Sequence, residues 1–258
     1  MTTLSNIIKF IRVILALLFF LAFVSTFLLI AVLTWRRFTD QLSGPMLRFW
    51  GRGTLMILGV PLRLVGDWPF RDPQPRVCIL NHQSTLDIVW FCAVSPNRMS
   101  GVGKVEIKKV PVLNVAWWVL KLYYIDRSNR ESAVQTLLAV SEDIIKNKRS
   151  VTLAPEGTRS ATAQLGPFKK GAFHLALNGK LPIYPMVVAG AYEAMPKGRL
   201  LATAQPISVR FLPPISTLDW MEETLDEHIE EVRSIMESAY HQLRHDMGLP
   251  ETSTSLPT

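Results

Sequence analysis

The hydrophobic pattern along the chain changes character near residue 60. Residues 13–35 form an unbroken run of 23 positions without a charge, rich in Leu, Phe, Ile and Val. As a helix this run would be about 34 Å long, which matches a hydrocarbon core of roughly 30 Å. A cleaved signal peptide would have a shorter apolar stretch and small residues after it. Here the run closes on Thr34-Trp35-Arg36-Arg37, an interfacial aromatic followed by two anchoring charges. The soluble alternative is a buried core helix. Residues 45–60 are also apolar but are interrupted by Arg48, Gly51, Arg52 and Gly53. That broken pattern predicts an interfacial helix lying on lipid headgroups, its arginines reaching phosphate. The pattern is compatible both with a span and with a helical pair dipping into one leaflet.

Beyond residue 60 short strand-like runs alternate with helix-like periods, which predicts an α/β fold: a mixed sheet flanked by helices, preceded by a membrane-embedded helical segment. Strands are expected over 61–65, 76–80, 151–154, 181–188 and 207–212, and helices over 85–95, 111–122, 131–147, 169–178 and 219–243. Ser128 and Glu131 have the spacing of a capping box ahead of the third of these helices. The expected organisation is a membrane segment (1–59), a globular domain (60–250) and a frayed polar tail (251–258).

Charge and cysteine content narrow the partners. The 258 residues carry a net charge of +7, split unevenly: residues 1–218 hold 26 basic and 11 acidic residues, and residues 219–258 hold 2 and 10. A basic body expects anionic partners, whether phosphate compounds, a membrane surface or nucleic acid. No long basic cluster with interleaved aromatics is present, so nucleic acid is not expected. Lys9 and Arg12 precede the apolar run, whereas Arg36, Arg37, Arg48 and Arg52 follow it. The positive-inside tendency then puts the body on the cytoplasmic face, which in a bacterium is that of the inner membrane. Two cysteines, Cys78 and Cys92, exclude a disulfide scaffold and a cysteine zinc site. His241 and His245 are four apart but lack the glutamate of the metalloprotease motif, so no metal is expected.

Two segments could carry chemistry. Asn81-His82-Gln83-Ser84-Thr85-Leu86-Asp87 follows the apolar strand 76–80 directly, which presents His82 at the edge of a sheet, where α/β folds bind ligands. On one regular helix positions 82 and 87 would lie about 140° apart. With His82 on the turn and Asp87 in the helix's first turn, the carboxylate can reach the imidazole. Such a pair activates a substrate's own hydroxyl without a further nucleophile. Ser84-x-x-Asp87 is equally a plain capping box, and that reading stays open on spacing alone. Pro155-Glu156-Gly157-Thr158-Arg159-Ser160 follows a second apolar strand and combines a glycine, two hydroxyls and a planar guanidinium fork suited to phosphate. An ordinary turn with a solvated arginine is the alternative. Lys104, Lys108, Lys109, Arg127, Lys169 and Lys170 add cations in the same half of the chain.

Taken in order, four blocks resemble the glycerolipid acyltransferases, specifically the 1-acyl-sn-glycerol-3-phosphate (lysophosphatidate) acyltransferases. They are the His82-x4-Asp87 block; Gly103-Lys104-Val105-Glu106 leading through Pro111 to Tyr124-Ile125-Asp126-Arg127; Pro155 to Ser160 continued by Pro167-Phe168-Lys169-Lys170-Gly171; and Leu181-Pro182-Ile183-Tyr184-Pro185-Met186. The resemblance implies acyl transfer from acyl-CoA or acyl-acyl-carrier-protein to the 2-hydroxyl of lysophosphatidate on a phospholipid membrane, giving phosphatidate, with no metal or organic cofactor. It implies His82 as base and Asp87 as its partner. It implies Glu156, Gly157, Thr158 and Arg159 as glycerol-phosphate ligands, with Lys104 and Arg127 as further phosphate cations. Pro185 falls in the block associated with acyl-chain or donor placement. After Pro111, Val112 to Ala116 and Trp117-Trp118 replace the glycines common in the family, which leaves chain-length preference open. The competing expectations are an acyltransferase for another lysolipid and a non-catalytic membrane protein that binds anionic lipids.

Overall fold

The computed structural model describes residues 2–126 and 130–250. Seven strands form one sheet: β1 (Leu62–Val65), β2 (Arg76–Leu80), β3 (Met99–Lys104), β4 (Tyr123–Ile125), β5 (Ser150–Leu153), β6 (Ile183–Ala189) and β7 (Ile207–Phe211). Their spatial order is β1-β7-β6-β2-β5-β3-β4. All neighbours are parallel except β6 and β7, so the sheet is mixed as expected. The five strands predicted from apolar runs are all present. The two missed, β3 and β4, lie at one edge: β3 reads Met-Ser-Gly-Val-Gly-Lys and offers no apolar run, and β4 is three residues long.

The helices are α1 (Thr2–Leu33), α2 (Thr39–Leu58), α3 (Leu86–Val94), α4 (Pro111–Leu120), α5 (Arg130–Lys146), α6 (Gly171–Gly179), α7 (Ala191–Ala194) and α8 (Leu225–Asp246), with a 3-10 turn over Val105–Lys109. Alternation along β2 sends Cys78 and Leu80 into a core shared with α1, α2 and α3. Val77 and Ile79 go the other way, into a core shared with α5, α6 and α8. The sheet is therefore covered on both faces, as parallel strands require. Ser128, of the expected capping box, lies outside the described residues.

The N-terminal pair of helices packs against the body. Leu4–Leu33 is long and apolar enough to cross a membrane, but it lies alongside the body. Phe23, Val24, Phe27 and Ala31 are buried, while Ile14, Leu18, Leu21, Leu29 and Val32 on the opposite side are exposed. Helix α2 begins at Thr39, six residues before the expected start, and runs through Pro45. Its arginines bond to the neighbouring helix α3. Arg48 donates to the Ser95 carbonyl (2.8 Å) and to Asn97 Oδ1 (3.0 Å), and Arg52 donates to the Ala93 carbonyl (3.2 Å). These carbonyls belong to the C-terminal end of α3, where unpaired acceptors and the helix dipole both favour cations. Arg36 likewise donates to the Trp118 carbonyl at 2.8 Å and stacks over that indole. Three of the four arginines that follow the apolar run thus fasten the helical pair to the body.

Candidate active site

The site forms where two adjacent parallel strands end. β2 and β5 pair with Ile79 opposite Leu153, and continuing that register sets His82 against Glu156 and Thr85 against Arg159. Two hydrogen bonds join the emerging turns on either side of His82. The His82 amide donates to Glu156 Oε1 at 2.7 Å, and the Ser160 amide donates to the His82 carbonyl at 2.8 Å. Two segments 74 positions apart in sequence are thereby laced into one surface.

His82 Nδ1 lies 2.7 Å from Asp87 Oδ2, with the imidazole 27% exposed and the carboxylate 3% exposed. An ionised carboxylate only accepts, so Nδ1 carries the proton and Nε2 is left with a free lone pair. The same Oδ2 accepts from the amides of Gln83 (2.7 Å) and Ser84 (2.8 Å), while Oδ1 accepts from the Trp90 indole at 2.9 Å. The capping and pairing readings of Asp87 are therefore both realised by one side chain. The Ser84 hydroxyl accepts from the Leu86 amide at 3.1 Å, not from that of Asp87, and donates to the Met195 carbonyl at 2.6 Å. Ahead of the histidine, buried Asn81 accepts from the Val188 amide (2.7 Å) and donates to the Val188 carbonyl (2.9 Å). Its side chain extends the β2–β6 ladder by one rung and fixes where the turn begins. No pattern in the sequence marked Asn81 for this role, because its partner lies 107 positions away.

Glu156 is buried, 5% exposed. Its second oxygen accepts from the Gly166 amide at 2.9 Å. Burial pushes its carboxyl up to about 7, against the pull of its two amide donors and of His82. Each oxygen accepts from one backbone amide, so Glu156 braces two loops. Gly157 has φ of +70°, open to glycine at little cost, and the side chain of Lys169 lies against it. Thr158 is exposed. Arg159 donates to the Thr85 hydroxyl on the histidine turn. Lys169, which the sequence offered only as one cation among several, is drawn in by its amide donating to the Pro155 carbonyl at 2.8 Å.

The other expected residues are placed less directly. Lys104 ends β3, opposite Ile125 of β4, and its side chain lies outside the described set, as does the whole of Arg127. Pro185 is buried in β6 opposite Ile79, inside the sheet. A proline is tolerated in this inner strand because β7 begins pairing only at the next residue, Met186 opposite Phe211. Its carbonyl accepts from the Leu212 amide at 3.0 Å. Gly103 is tightly covered by the Trp117 ring, which stacks on Tyr124.

An acyltransferase family model matches residues 62–189, the stretch that holds both laced turns. A 1-acyl-sn-glycerol-3-phosphate acyltransferase of Saccharomyces cerevisiae is 36% identical over 203 residues, covering 77% of this chain and 66% of the relative. One from Limnanthes douglasii is 31% identical over 208 residues, covering 81% of this chain and 73% of the relative. The chain thus spans about two thirds to three quarters of these relatives' length. Among solved structures, the crystal structure of the 1-acyl-sn-glycerophosphate (LPA) acyltransferase PlsC from Thermotoga maritima superposes with a TM-score of 0.74, covering 92% of this chain and 98% of that one at 21% identity, a likeness of fold. With a buried carboxylate holding a partly exposed imidazole at the end of β2, a shared fold and relatives of this similarity, the chain belongs to the 1-acyl-sn-glycerol-3-phosphate acyltransferase family.

Proposed function

We propose that the chain transfers an acyl group from a thioester, acyl-CoA or acyl-acyl-carrier-protein, to the 2-hydroxyl of 1-acyl-sn-glycerol 3-phosphate, giving phosphatidate at the cytoplasmic face of a membrane. The observation that carries this reading is the His82 Nδ1–Asp87 Oδ2 contact of 2.7 Å with the imidazole partly open to solvent. His82 Nε2 takes the proton of the acceptor hydroxyl as its oxygen bonds to the thioester carbonyl carbon. The tetrahedral adduct then breaks its C–S bond, and the thiolate leaves with the proton returned by the imidazolium. Asp87 fixes the ring and stabilises its cationic form. A thioester is already electrophilic, so alcohol activation and positioning supply the catalysis, and the chain's own residues suffice for both.

Arg159, Thr158 and Lys169 are the proposed acceptor-phosphate contacts, with Lys104 and Arg127 as further cations. Arg159 is supported by its bond to Thr85 on the histidine turn, which keeps its fork beside the base. Glu156 and Asn81 are proposed as positioning residues, and Pro185 as part of the sheet wall under the acyl chain. The membrane reading rests on the exposed apolar side of α1.

Acyl transfer by the full chain in liposomes, crossing both donor types with lysophosphatidate, lysophosphatidylcholine and monoacylglycerol, tests the assignment. Lysophosphatidate is expected to be the preferred acceptor. His82→Ala is expected to lower turnover by about 10²–10⁴-fold, the range for a lost general base, with acceptor binding unchanged. Near-normal turnover in that variant overturns the mechanism. A preference for another lysolipid overturns the acceptor.

A further inference from the structure

We propose that the turn Pro196–Leu200 is a bilayer-docking element of the globular body, which seats the His82 turn at the surface of an anionic membrane. The segment is an excursion closed at its base. The Thr203 amide donates to the Ala194 carbonyl at 2.8 Å, and the Thr203 hydroxyl donates to the Glu193 carbonyl at 3.2 Å. Within it the Arg199 amide donates to the Pro196 carbonyl at 3.1 Å, and Gly198 has φ of +89°, so the tip is a defined tight turn. Four successive residues at that tip, Lys197, Gly198, Arg199 and Leu200, are exposed. Leu200 is 82% exposed, more than any other leucine of the described chain.

A bare leucine between a pinned base and two cations fits one surface well. Its side chain can enter the acyl region while Lys197 and Arg199 meet phosphate, the arrangement of an interfacial anchor. Continuity with the apolar helix decides the occupant. Ala202 and Ala204, on the returning limb, line a common cavity with Leu4, Ser5, Ile8, Lys9 and Arg12 of α1. The turn therefore lies beside the N-terminal half of the helix whose exposed side is apolar. Its base also reaches the site, because the Ser84 hydroxyl of the histidine turn donates to the Met195 carbonyl at 2.6 Å. A membrane contact at Leu200 would thus hold the His82 turn within a few residues of the bilayer surface, where an amphiphilic acceptor resides. This inference rests on the membrane reading of α1.

Cys78 and Cys92 are buried, and burial raises both thiols to about 12, so an added surface cysteine can be labelled selectively. Leu200→Cys, Leu18→Cys and Glu231→Cys would each carry a polarity-sensitive fluorophore, with the full chain reconstituted in phosphatidylcholine vesicles with or without phosphatidylglycerol. Expected are a blue shift and quenching by brominated acyl chains at 18 and 200, and an aqueous signal at 231, on the opposite layer. Lys197→Glu with Arg199→Glu should weaken the signal at 200 only in the anionic vesicles. Leu200→Asp should lower vesicle turnover by about tenfold, the scale of one leucine's lost burial, and leave turnover on a water-soluble short-chain acceptor unchanged. A label at 200 that stays aqueous while that at 18 enters lipid overturns the docking turn alone. Aqueous signals at both overturn the membrane reading of α1 as well.

Discussion

Asp87 holds four donors with two oxygens: imidazole, two amides and an indole. One small side chain therefore decides both the start of α3 and the orientation of the His82 imidazole. Glu156, which lies across the strands from His82, does comparable work at greater electrostatic cost. Because burial raises its pKa to about 7 from 4.5, the folded chain binds this proton more tightly than the unfolded chain does. Stability from this group is greatest below the unfolded value and is lost as pH rises from about 4.5 to about 7, by up to about 3 kcal/mol. Glu156→Gln should remove that slope, which thermal melts of both proteins at pH 5 and pH 7.5 would reveal. It should also lower kcat at every pH, since the amide nitrogen cannot accept from a backbone N–H. An unchanged slope would place the proton elsewhere. Arg159→Lys separates charge from shape. Lysine keeps the cation but loses the fork, so about 1–3 kcal/mol, roughly five- to 150-fold, should be lost from kcat/KM for lysophosphatidate. Turnover of monoacylglycerol, which has no phosphate, should hardly change. An equal loss on both acceptors would assign Arg159 to the donor or to the loop.

Among the elements, α2 is the one whose packing on α3 the sequence concealed. Residues 45–60 look like a poor amphipathic helix because two arginines and two glycines interrupt them. Packed on α3, those same residues are the fit. Arg48 and Arg52 satisfy the carbonyls at the end of α3, and Gly51 lets the two backbones touch. A methyl group at Gly51 would meet the Ala93 nitrogen and lie 2.6 Å from the Val89 carbonyl oxygen, both backbone and unable to yield. Gly51→Ala should therefore cost about 1–3 kcal/mol of stability, as overpacking does, read as a lower melting temperature of the reconstituted protein. Because α3 carries Asp87, turnover at temperatures below the melt should fall with it. A variant with unchanged melting would show that the helices separate freely. On α1 the division is by side: the inward phenylalanines Phe20 and Phe23 pack on Trp50 of α2 at centroid distances of 5.4 and 5.8 Å. Outward, Ile14, Leu18 and Leu21 face away from the protein.

At the scale of the whole molecule, the site is held from behind by α8, which lies beyond the span of the family model. The Tyr240 hydroxyl donates to the Ala163 carbonyl at 2.5 Å and lies 3.4 Å from Gln83 Oε1, while Arg244 donates to Tyr240 at 3.2 Å and pairs with Glu193 at 2.8 Å. Tyr240 thus touches both loops that Glu156 braces. Tyr240→Phe should lower stability by about 1–2 kcal/mol, the cost of leaving a buried acceptor unpaired, and lower kcat severalfold with little change in KM. Loss of stability without loss of kcat would make the tyrosine a structural tether only. Much of this was legible beforehand. The α/β class, five of seven strands, the apolar helix and the His82–Asp87 pairing follow from period, run length and local spacing, since each is a relation between residues near in sequence. The edge strands β3 and β4 were not legible, because glycine and serine join a sheet only when a neighbour supplies the pairing. Nor was the true employment of Glu156, Arg48, Arg52 and Asn81. Each is polar in an ordinary-looking context, and its partner lies between 41 and 107 positions away. What the local pattern determined was which residues could do chemistry. Only the parallel register of β2 with β5 decided which of them meet, because hydrogen bonds across a sheet depend on which strands lie side by side, a choice no local stretch contains.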